Sequence, residues 1–153
     1  MIRVEPLTAA AFAPFGQVIE VGIGKSFDIN DGFTTRHHAL ARAETDADVI
    51  LSIFEGRTRP LTVGMLECHP KGSQAFVPLN GRDWLAVVAQ TPEPDACRAF
   101  LCKGHQGLQY ATGVWHHPLL VLEQAQSFLV VDRDGPGENL QEVFFDQPLE
   151  IMF

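Results

Sequence analysis

Positive charge is scarce in this sequence of 153 residues, where 11 Lys and Arg stand against 19 Asp and Glu, for a formal net charge of −8. The only lysines are Lys25, Lys71 and Lys103, and no basic stripe is visible. Binding to nucleic acid or to an anionic membrane depends on clustered positive charge. We therefore exclude both as the main function, whereas a small anionic metabolite would need only a few local donors.

Cysteine is rare too, and no disulfide framework is predicted. The chain has three cysteines, Cys68, Cys97 and Cys102, an odd number, and none of them is in a CxxC motif. This pattern favours a reducing compartment. No basic and then apolar leader opens the chain, and the apolar runs are too short to cross a bilayer. We expect a cytoplasmic protein that forms one domain over residues 1–153.

Long helical patterns and nucleotide-binding glycine motifs are also missing. No GxGxxG or GxxxxGK[ST] pattern follows a strand, so no nucleotide cofactor is predicted. Helix is predicted in two places only. Thr8 can cap a short turn from Ala9 to Phe12, and the alanine-containing stretch Thr35–Asp48 is a weakly amphipathic candidate.

The sequence does contain many short apolar or alternating runs, separated by Gly and Pro. They are rich in Val, Ile, Leu and Phe, which is typical of half-buried strands, and such a series indicates a sandwich or a closed barrel. The predicted strands are Gln17–Val21, Val49–Phe54, Leu61–Glu67, Gln74–Leu79, Trp84–Gln90, Cys97–Cys102, Leu119–Glu123, Phe128–Asp132 and Glu142–Phe145. The predicted fold is mainly β with a few short helices.

Four polar residues near strand ends are predicted to meet in one cluster. Residues two apart in a strand face the same side, so Glu67 and His69 should project together. The chain then turns, and Gln74 can return on a neighbouring strand that faces the same space. A later strand brings His116 to the cluster, while His117 must face the opposite way.

The spacing of these residues resembles that of the cupin barrel. Glu67-x-His69-x4-Gln74, followed much later by His116, occupies the ligand positions of the two cupin motifs. Two of the family's glycines are matched, at Gly81 and Gly113, whereas its opening Gly is Leu61 here and its final Asn is Leu120. The resemblance implies a double-stranded β-helix (jelly-roll) barrel. Glu and Gln stand here where the family has His and Glu, and a neutral Gln is a poorer ligand for a transition metal than His or Glu.

Four longer sequence motifs resemble those of the ureidoglycolate lyase family, and the similarity extends over nearly the whole chain. They are Ile29-Asn-Asp-Gly32 with Arg36 and His38, His69-Pro-x-Gly-x-Gln-Ala-Phe76, Val114-Trp-His-His-Pro118 and Phe128-Leu-x-x-Asp-Arg133. The resemblance implies a cupin-fold homodimer that splits ureidoglycolate into glyoxylate and urea during allantoin breakdown. It also implies a divalent metal, notably nickel, which Glu67, His69, Gln74 and His116 would bind.

That reaction needs a base for the substrate hydroxyl, an acid for the departing urea nitrogen, and donors for the carboxylate. Our hypothesis is that Glu67 or His116 is the base and His69 the acid, with Gln74 orienting the substrate. Arginine binds carboxylates in a bidentate manner, and a turn can present amide donors. The predicted substrate-binding residues are Asn30, Arg36, His38 and Arg133, of which His38 is implied by the resemblance alone.

Other interpretations remain at this point. His69 could be a core histidine bonded to a backbone carbonyl, Arg36 could be a surface cation, and Trp115 is expected to pack rather than to bind substrate. A non-catalytic cupin that binds a small acid or sugar is one alternative function. A metal-dependent cupin oxygenase or isomerase is another, because two histidines and a carboxylate are present.

Overall fold

The computed structural model describes residues 1–153 and consists mainly of β-strands. The strands are β1 (Ile2–Pro6), β2 (Gly16–Ile19), β3 (Lys25–Ile29), β4 (Thr34–His38), β5 (Asp48–Gly56), β6 (Thr62–Cys68), β7 (Gln74–Pro78), β8 (Trp84–Ala89), β9 (Arg98–Cys102), β10 (Gly107–Tyr110), β11 (Trp115–His116), β12 (Leu120–Val121), β13 (Gln126–Asp134) and β14 (Gln141–Met152). One short helix, α1 (Ala9–Phe12), and two 3-10 turns, Asn30–Gly32 and Pro94–Ala96, complete the fold. None of its helices has the length and hydropathy needed to cross a membrane.

One sheet closes on itself to form a barrel. Its strands follow the order β11-β6-β14-β1-β9-β8, and β11 pairs with β8 as well as with β6, so the ring has no open end. β12 also pairs with β8. The first strand, β1, is parallel to both β14 and β9, whereas the other neighbours are antiparallel. The two ends of the chain therefore hold the same barrel together.

A second sheet packs against this barrel. It has the order β2-β10-β7-β13-β5, with antiparallel neighbours throughout. The larger hydrophobic cluster draws residues from both sheets, and Trp84 of β8 meets Phe128 of β13 with ring centroids 5.0 Å apart. Burial of such large aromatic side chains is the main force that holds the two layers together.

Strand β8 explains why part of the sequence is apolar without alternation. All six of its residues are buried, because the strand has a core on each face. Its even-numbered residues belong to the larger cluster between the sheets and its odd-numbered residues to the smaller one. A strand of this kind has no polar face to present to solvent.

Most of the predicted elements are confirmed. Each predicted strand overlaps an observed one, and Thr8 caps α1 by accepting a hydrogen bond from the Ala11 amide at 3.1 Å. The mainly β, cupin-like barrel with few short helices is therefore confirmed.

The predicted helix Thr35–Asp48 is wrong. Residues Thr34–His38 form β4, which pairs with β3 as an isolated hairpin, and Ala39 then adopts a left-handed φ of 50°. Two consecutive β-branched residues favour the strand, and the left-handed residue would interrupt any helix. Alanine content alone gave a misleading helix signal there.

Candidate active site

A cavity of about 750 Å³ lies between the barrel and the second sheet. The barrel contributes Glu67 from the end of β6 and His116 from β11, and the second sheet contributes Gln74 from β7 and Asp132 from β13. His69 lines the same cavity one residue beyond β6. The structure thus brings together the four residues that the sequence predicted as a cluster.

Glu67, His69 and His116 form the tightest part of this group. One ligand atom from each lies within 4.8 Å of the others. Glu67 and His116 are cross-strand partners on β6 and β11, which places their side chains on one face, with His116 Nε2 3.6 Å from Glu67 Oε1. The two imidazole rings have centroids 5.2 Å apart.

Backbone carbonyls assign the tautomer of each histidine. His69 Nδ1 lies 2.8 Å from the Asn139 carbonyl, and His116 Nδ1 lies 3.1 Å from the Val114 carbonyl. Because a carbonyl can only accept, each Nδ1 carries the hydrogen and donates it. Each Nε2 is then a lone pair, and both are buried without a hydrogen-bond partner. Burial lowers the pKa of His116, which favours its neutral form.

Such a set of acceptors suits a divalent cation. Two Nε2 lone pairs and a carboxylate face one another without a proton donor between them, and buried polar atoms in proteins are rarely left unpaired. Imidazole and carboxylate are common ligands of transition metals. The carbonyls behind each ring provide the supporting hydrogen bonds that metal-binding histidines usually have. The residues therefore fit the metal that the cupin resemblance implies.

Gln74 is oriented by a carboxylate. Its amide nitrogen donates to Asp132 Oδ2 at 3.0 Å, and its carbonyl oxygen accepts no hydrogen bond from the protein. The side chain is only 6% exposed, so the amide has little freedom to turn. Gln74 consequently offers the cavity an acceptor, one suited to an N–H group or a cation.

Two residues that support the cluster were missed by the sequence analysis. The Tyr110 ring stacks on His116 at 4.2 Å with an angle of 6° between the planes. Asn139 holds His69 through its carbonyl, and its own side chain accepts from the Lys71 amide at 2.7 Å. Tyr110 ends the short strand β10, which was not predicted, and Asn139 lies in a loop without a motif.

Two arginines at the cavity, Arg57 and Arg59, were missed as well. They follow the end of β5, are exposed, and form no hydrogen bond or ion pair within the chain. Burial lowers the pKa of the neighbouring His117, and the positive charge of Arg59 lowers it further. No sequence motif marks this segment, and only its position beside the cavity gives it interest.

Comparison with known proteins identifies the family of this chain. A family model described as "Ureidoglycolate lyase" matches residues 1–152. The chain belongs to the ureidoglycolate lyase family.

Curated members of the ureidoglycolate lyase family are identical to this chain at about half of the aligned positions. A ureidoglycolate lyase from Pseudomonas syringae pv. tomato is 51% identical, covering 95% of this chain and 91% of the relative. One from Rhizobium etli is 50% identical, covering 98% and 95%, and one from Pseudomonas savastanoi pv. phaseolicola is 52% identical, covering 93% and 88%. The similarity therefore spans nearly the full length of each protein.

Of the four substrate-binding residues that the sequence analysis predicted, only Arg133 lines the cavity. Its guanidinium already donates to Asp46 Oδ1, to the Pro136 carbonyl at 2.6 Å and to the Gly135 carbonyl at 3.5 Å. With its side chain 3% exposed, Arg133 has little capacity for a second carboxylate. That it binds substrate stays a prediction.

Asn30, Arg36 and His38 lie on the β3–β4 hairpin and do not line the cavity of their own chain. Asn30 is at the tip, where its amide donates to Thr34 Oγ1 at 3.3 Å, and His38 packs on Phe27 at a centroid distance of 5.6 Å. Their role in a ureidoglycolate lyase site likewise stays a prediction. Trp115 packs against the smaller hydrophobic cluster, as expected.

Proposed function

We propose that this protein is a ureidoglycolate lyase, which cleaves ureidoglycolate to glyoxylate and urea. The observation that carries the proposal is the convergence of Glu67, His69 and His116 within 4.8 Å in the cavity. Membership in the ureidoglycolate lyase family supplies the substrate. A lyase for this substrate needs groups that accept and return a proton, and this cluster consists of such groups.

The reaction moves one proton and breaks one bond, without water. A base removes the hydroxyl proton, the C–O bond becomes the carbonyl of glyoxylate, and the C–N electrons pass to the urea nitrogen, which receives a proton. His116 Nε2 or Glu67 accepts the hydroxyl proton and passes it to the Nε2 lone pair of His69. His69 then delivers that proton from Nε2 to the urea nitrogen, so the base and the acid both return to their starting states. Gln74 orients the ureido group, because its side-chain carbonyl oxygen can accept a hydrogen bond from a ureido N–H group.

In a second version of the mechanism, we propose that the cluster binds a divalent metal, which the ureidoglycolate lyase resemblance suggests is nickel, and its ligand atoms then transfer no protons. Glu67, His69 and His116 would hold it, with Gln74 beside them. A bound ion would supply positive charge that lowers the pKa of the substrate hydroxyl. Calorimetric titration of metal-stripped protein with Ni²⁺ should give one site per chain, and His69→Ala should weaken that binding at least 10-fold. Equal affinity in the variant would contradict the site.

Product analysis tests the function directly. Purified, metal-stripped protein is incubated with ureidoglycolate, with and without Ni²⁺ or Mn²⁺, and glyoxylate, urea and ammonia are measured against an enzyme-free control. Accelerated release of urea and glyoxylate in equal amounts is the expected result. Ammonia in place of urea would move the attack to the ureido carbonyl. Oxygen consumption would instead support a cupin oxygenase, and saturable binding without products a non-catalytic cupin.

We further propose that the protein is a homodimer. β5 is an edge strand of the second sheet, and its outward side chains Val49, Leu51 and Ile53 are exposed, Leu51 to 70%. An exposed apolar edge of this length invites strand pairing. Sedimentation at micromolar concentration should give twice the 16.9 kDa chain mass, and Leu51→Asp should give monomers. In that dimer, Asn30, Arg36 and His38 would contact the substrate of the neighbouring copy.

The remaining assignments follow from the same reaction. We propose a place in the degradation of allantoin and other purine products, where ureidoglycolate arises. Three free thiols support a reducing, cytoplasmic location. Pairing of β1 with β14 supports the interpretation of residues 1–153 as one cupin-like domain.

A further inference from the structure

An anionic substrate meets unfavourable charge in this cavity. Its lining includes the carboxylates of Glu55, Glu67 and Asp132, and the whole chain carries a formal charge of −8. Neither Glu55 nor Glu67 has a Lys or Arg partner. A ligand carboxylate placed among these groups would be repelled, so its binding requires positive charge at a specific position.

The cavity offers few cations for that purpose. Arg57, Arg59 and Arg133 are the only Lys or Arg residues that line it. Arg133 is already bonded to the Asp46 carboxylate and to two backbone carbonyls. Arg57 and Arg59 have no partner in the chain, so both guanidinium groups retain all five of their N–H donors.

The segment that carries these two arginines has a simple geometry. It leaves the end of β5 at Gly56 and runs to Pro60 without helix or strand. A residue before proline is restricted to extended conformations, which applies to Arg59. Residues two apart in an extended segment lie on the same side, and Arg57 and Arg59 line the cavity while Thr58 does not.

We infer that Arg57 and Arg59 bind the carboxylate of the substrate and thereby orient its reacting carbon toward the Glu67, His69 and His116 cluster. This inference deepens the proposed function and rests on it for the identity of the substrate. Two guanidinium groups can bind one carboxylate with charge-assisted, bidentate hydrogen bonds. Selectivity for a carboxylate over a neutral group of the same shape follows from that contact.

The test uses hydantoate, which is ureidoglycolate without its hydroxyl group. It keeps the carboxylate and the ureido group but cannot undergo the elimination. Its carboxamide has nearly the same shape and no charge. Calorimetric titration of the wild-type protein, in one fixed metal state, should give about 10- to 100-fold tighter binding of hydantoate than of the carboxamide.

Four variants locate the source of that preference. Arg57→Gln and Arg59→Gln should each weaken hydantoate binding about 10-fold, and the double variant should bind the two compounds equally. Arg59→Lys should recover part of the loss, because it restores charge without the planar fork. Arg42→Gln is the matched control, since Arg42 is exposed and lies outside the cavity. With ureidoglycolate, KM should rise in parallel while kcat changes less.

The outcomes separate this inference from the proposed function. A double variant that still prefers hydantoate, or a wild-type protein without preference, overturns the role of the two arginines even if ureidoglycolate is cleaved. A preference that disappears in the double variant supports the role even if the wild type releases no products from ureidoglycolate. In that second case the proposed function falls, and the site binds another small carboxylate.

Discussion

The cavity and the β3–β4 hairpin both carry polar residues that the sequence analysis assigned to the site, but their surroundings differ. In the cavity, β6 and β11 belong to a closed barrel, and His116 is fixed by the Val114 carbonyl and the stacked ring of Tyr110. In the hairpin, β3 and β4 pair only with each other, and Thr35 bonds across to Asp28 at 2.9 Å.

This difference determines which of the two regions can hold reacting atoms in precise positions within a single chain. A two-stranded hairpin is marginally stable by itself in water, whereas barrel strands have neighbours on each side. Proton transfer needs reacting atoms placed to within a fraction of an ångström. The cavity meets this requirement alone, while the hairpin could contribute to catalysis only when a second copy supports it.

Replacement of His116 by alanine should have the largest effect. Loss of the Nε2 lone pair removes either the base or a metal ligand, so we expect kcat to fall by about 10²-fold or more. Release of glyoxylate and urea gives the rate, and circular dichroism checks that the variant is folded.

His105→Ala is the matched control for that experiment. His105 is another histidine, 71% exposed, that lies 3.4 Å from Glu20 outside the cavity. We expect its turnover to stay within about twofold of the wild type, as for most surface substitutions. Near-normal turnover in a folded His116→Ala protein would remove His116 from the mechanism.

Replacement of Arg36 by glutamine tests whether the hairpin acts on a neighbouring copy. We expect an intermediate effect, a rise in KM of about 10-fold, because one charge-assisted contact to the substrate is lost. Mixing this variant with His116→Ala then identifies the site on which the hairpin acts.

Mixed dimers of the two variants should regain activity. In such a dimer the chain with intact His116 receives Arg36 from its partner, so one complete site forms. If Arg36 served its own chain, each site would lack one residue and mixing would restore nothing. An unchanged KM in Arg36→Gln would separate the hairpin from the site altogether.

Replacement of Asp46 by asparagine should have the smallest effect, on stability at the cavity wall. The hydrogen bond from Arg133 lowers the pKa of Asp46 below its ordinary value of 3.8. The unfolded chain therefore binds this proton more readily in acid. The stabilisation is complete above the unfolded pKa and disappears as the pH falls through the lower, folded pKa.

The measurement for Asp46 is the melting temperature at two pH values. Asp46→Asn should melt a few degrees at most below the wild type near pH 7, because the side chain of Asp46 is 59% exposed. The difference should shrink as the pH is lowered below 3.8 and through the lower, folded pKa of Asp46. A difference that is equal at both pH values would mean that the carboxylate's charge is not involved.

Much of the fold could be predicted because strand periodicity and turn residues are local signals. The run Trp84–Gln90 was identified from apolar content, and it became β8, the strand with a core on each face. Thr35–Asp48 was misread because alanines favour helix only when nothing else competes. There, the pairing of β4 with β3 decided the conformation.

The candidate site was predictable in the same partial way. Alternation along one strand put Glu67 beside His69, and the cupin spacing added Gln74 and His116. Arg57, which lies in a loop without a motif, gave no such signal. Its interest arises from the charge of the cavity and from the hydrogen bonds that already occupy Arg133.

By itself, the sequence determined that the fold is mainly β, because strand patterns depend on residues close together along the chain. It also determined the anionic character and the residue types available for proton transfer, because these depend on composition alone. Only the tertiary structure decided which nitrogen of each histidine faces the cavity and which arginines stay unbonded. Those properties depend on partners far apart in sequence, such as Asn139 for His69 and Asp46 for Arg133. Such partners meet only when the barrel closes and the second sheet packs against it.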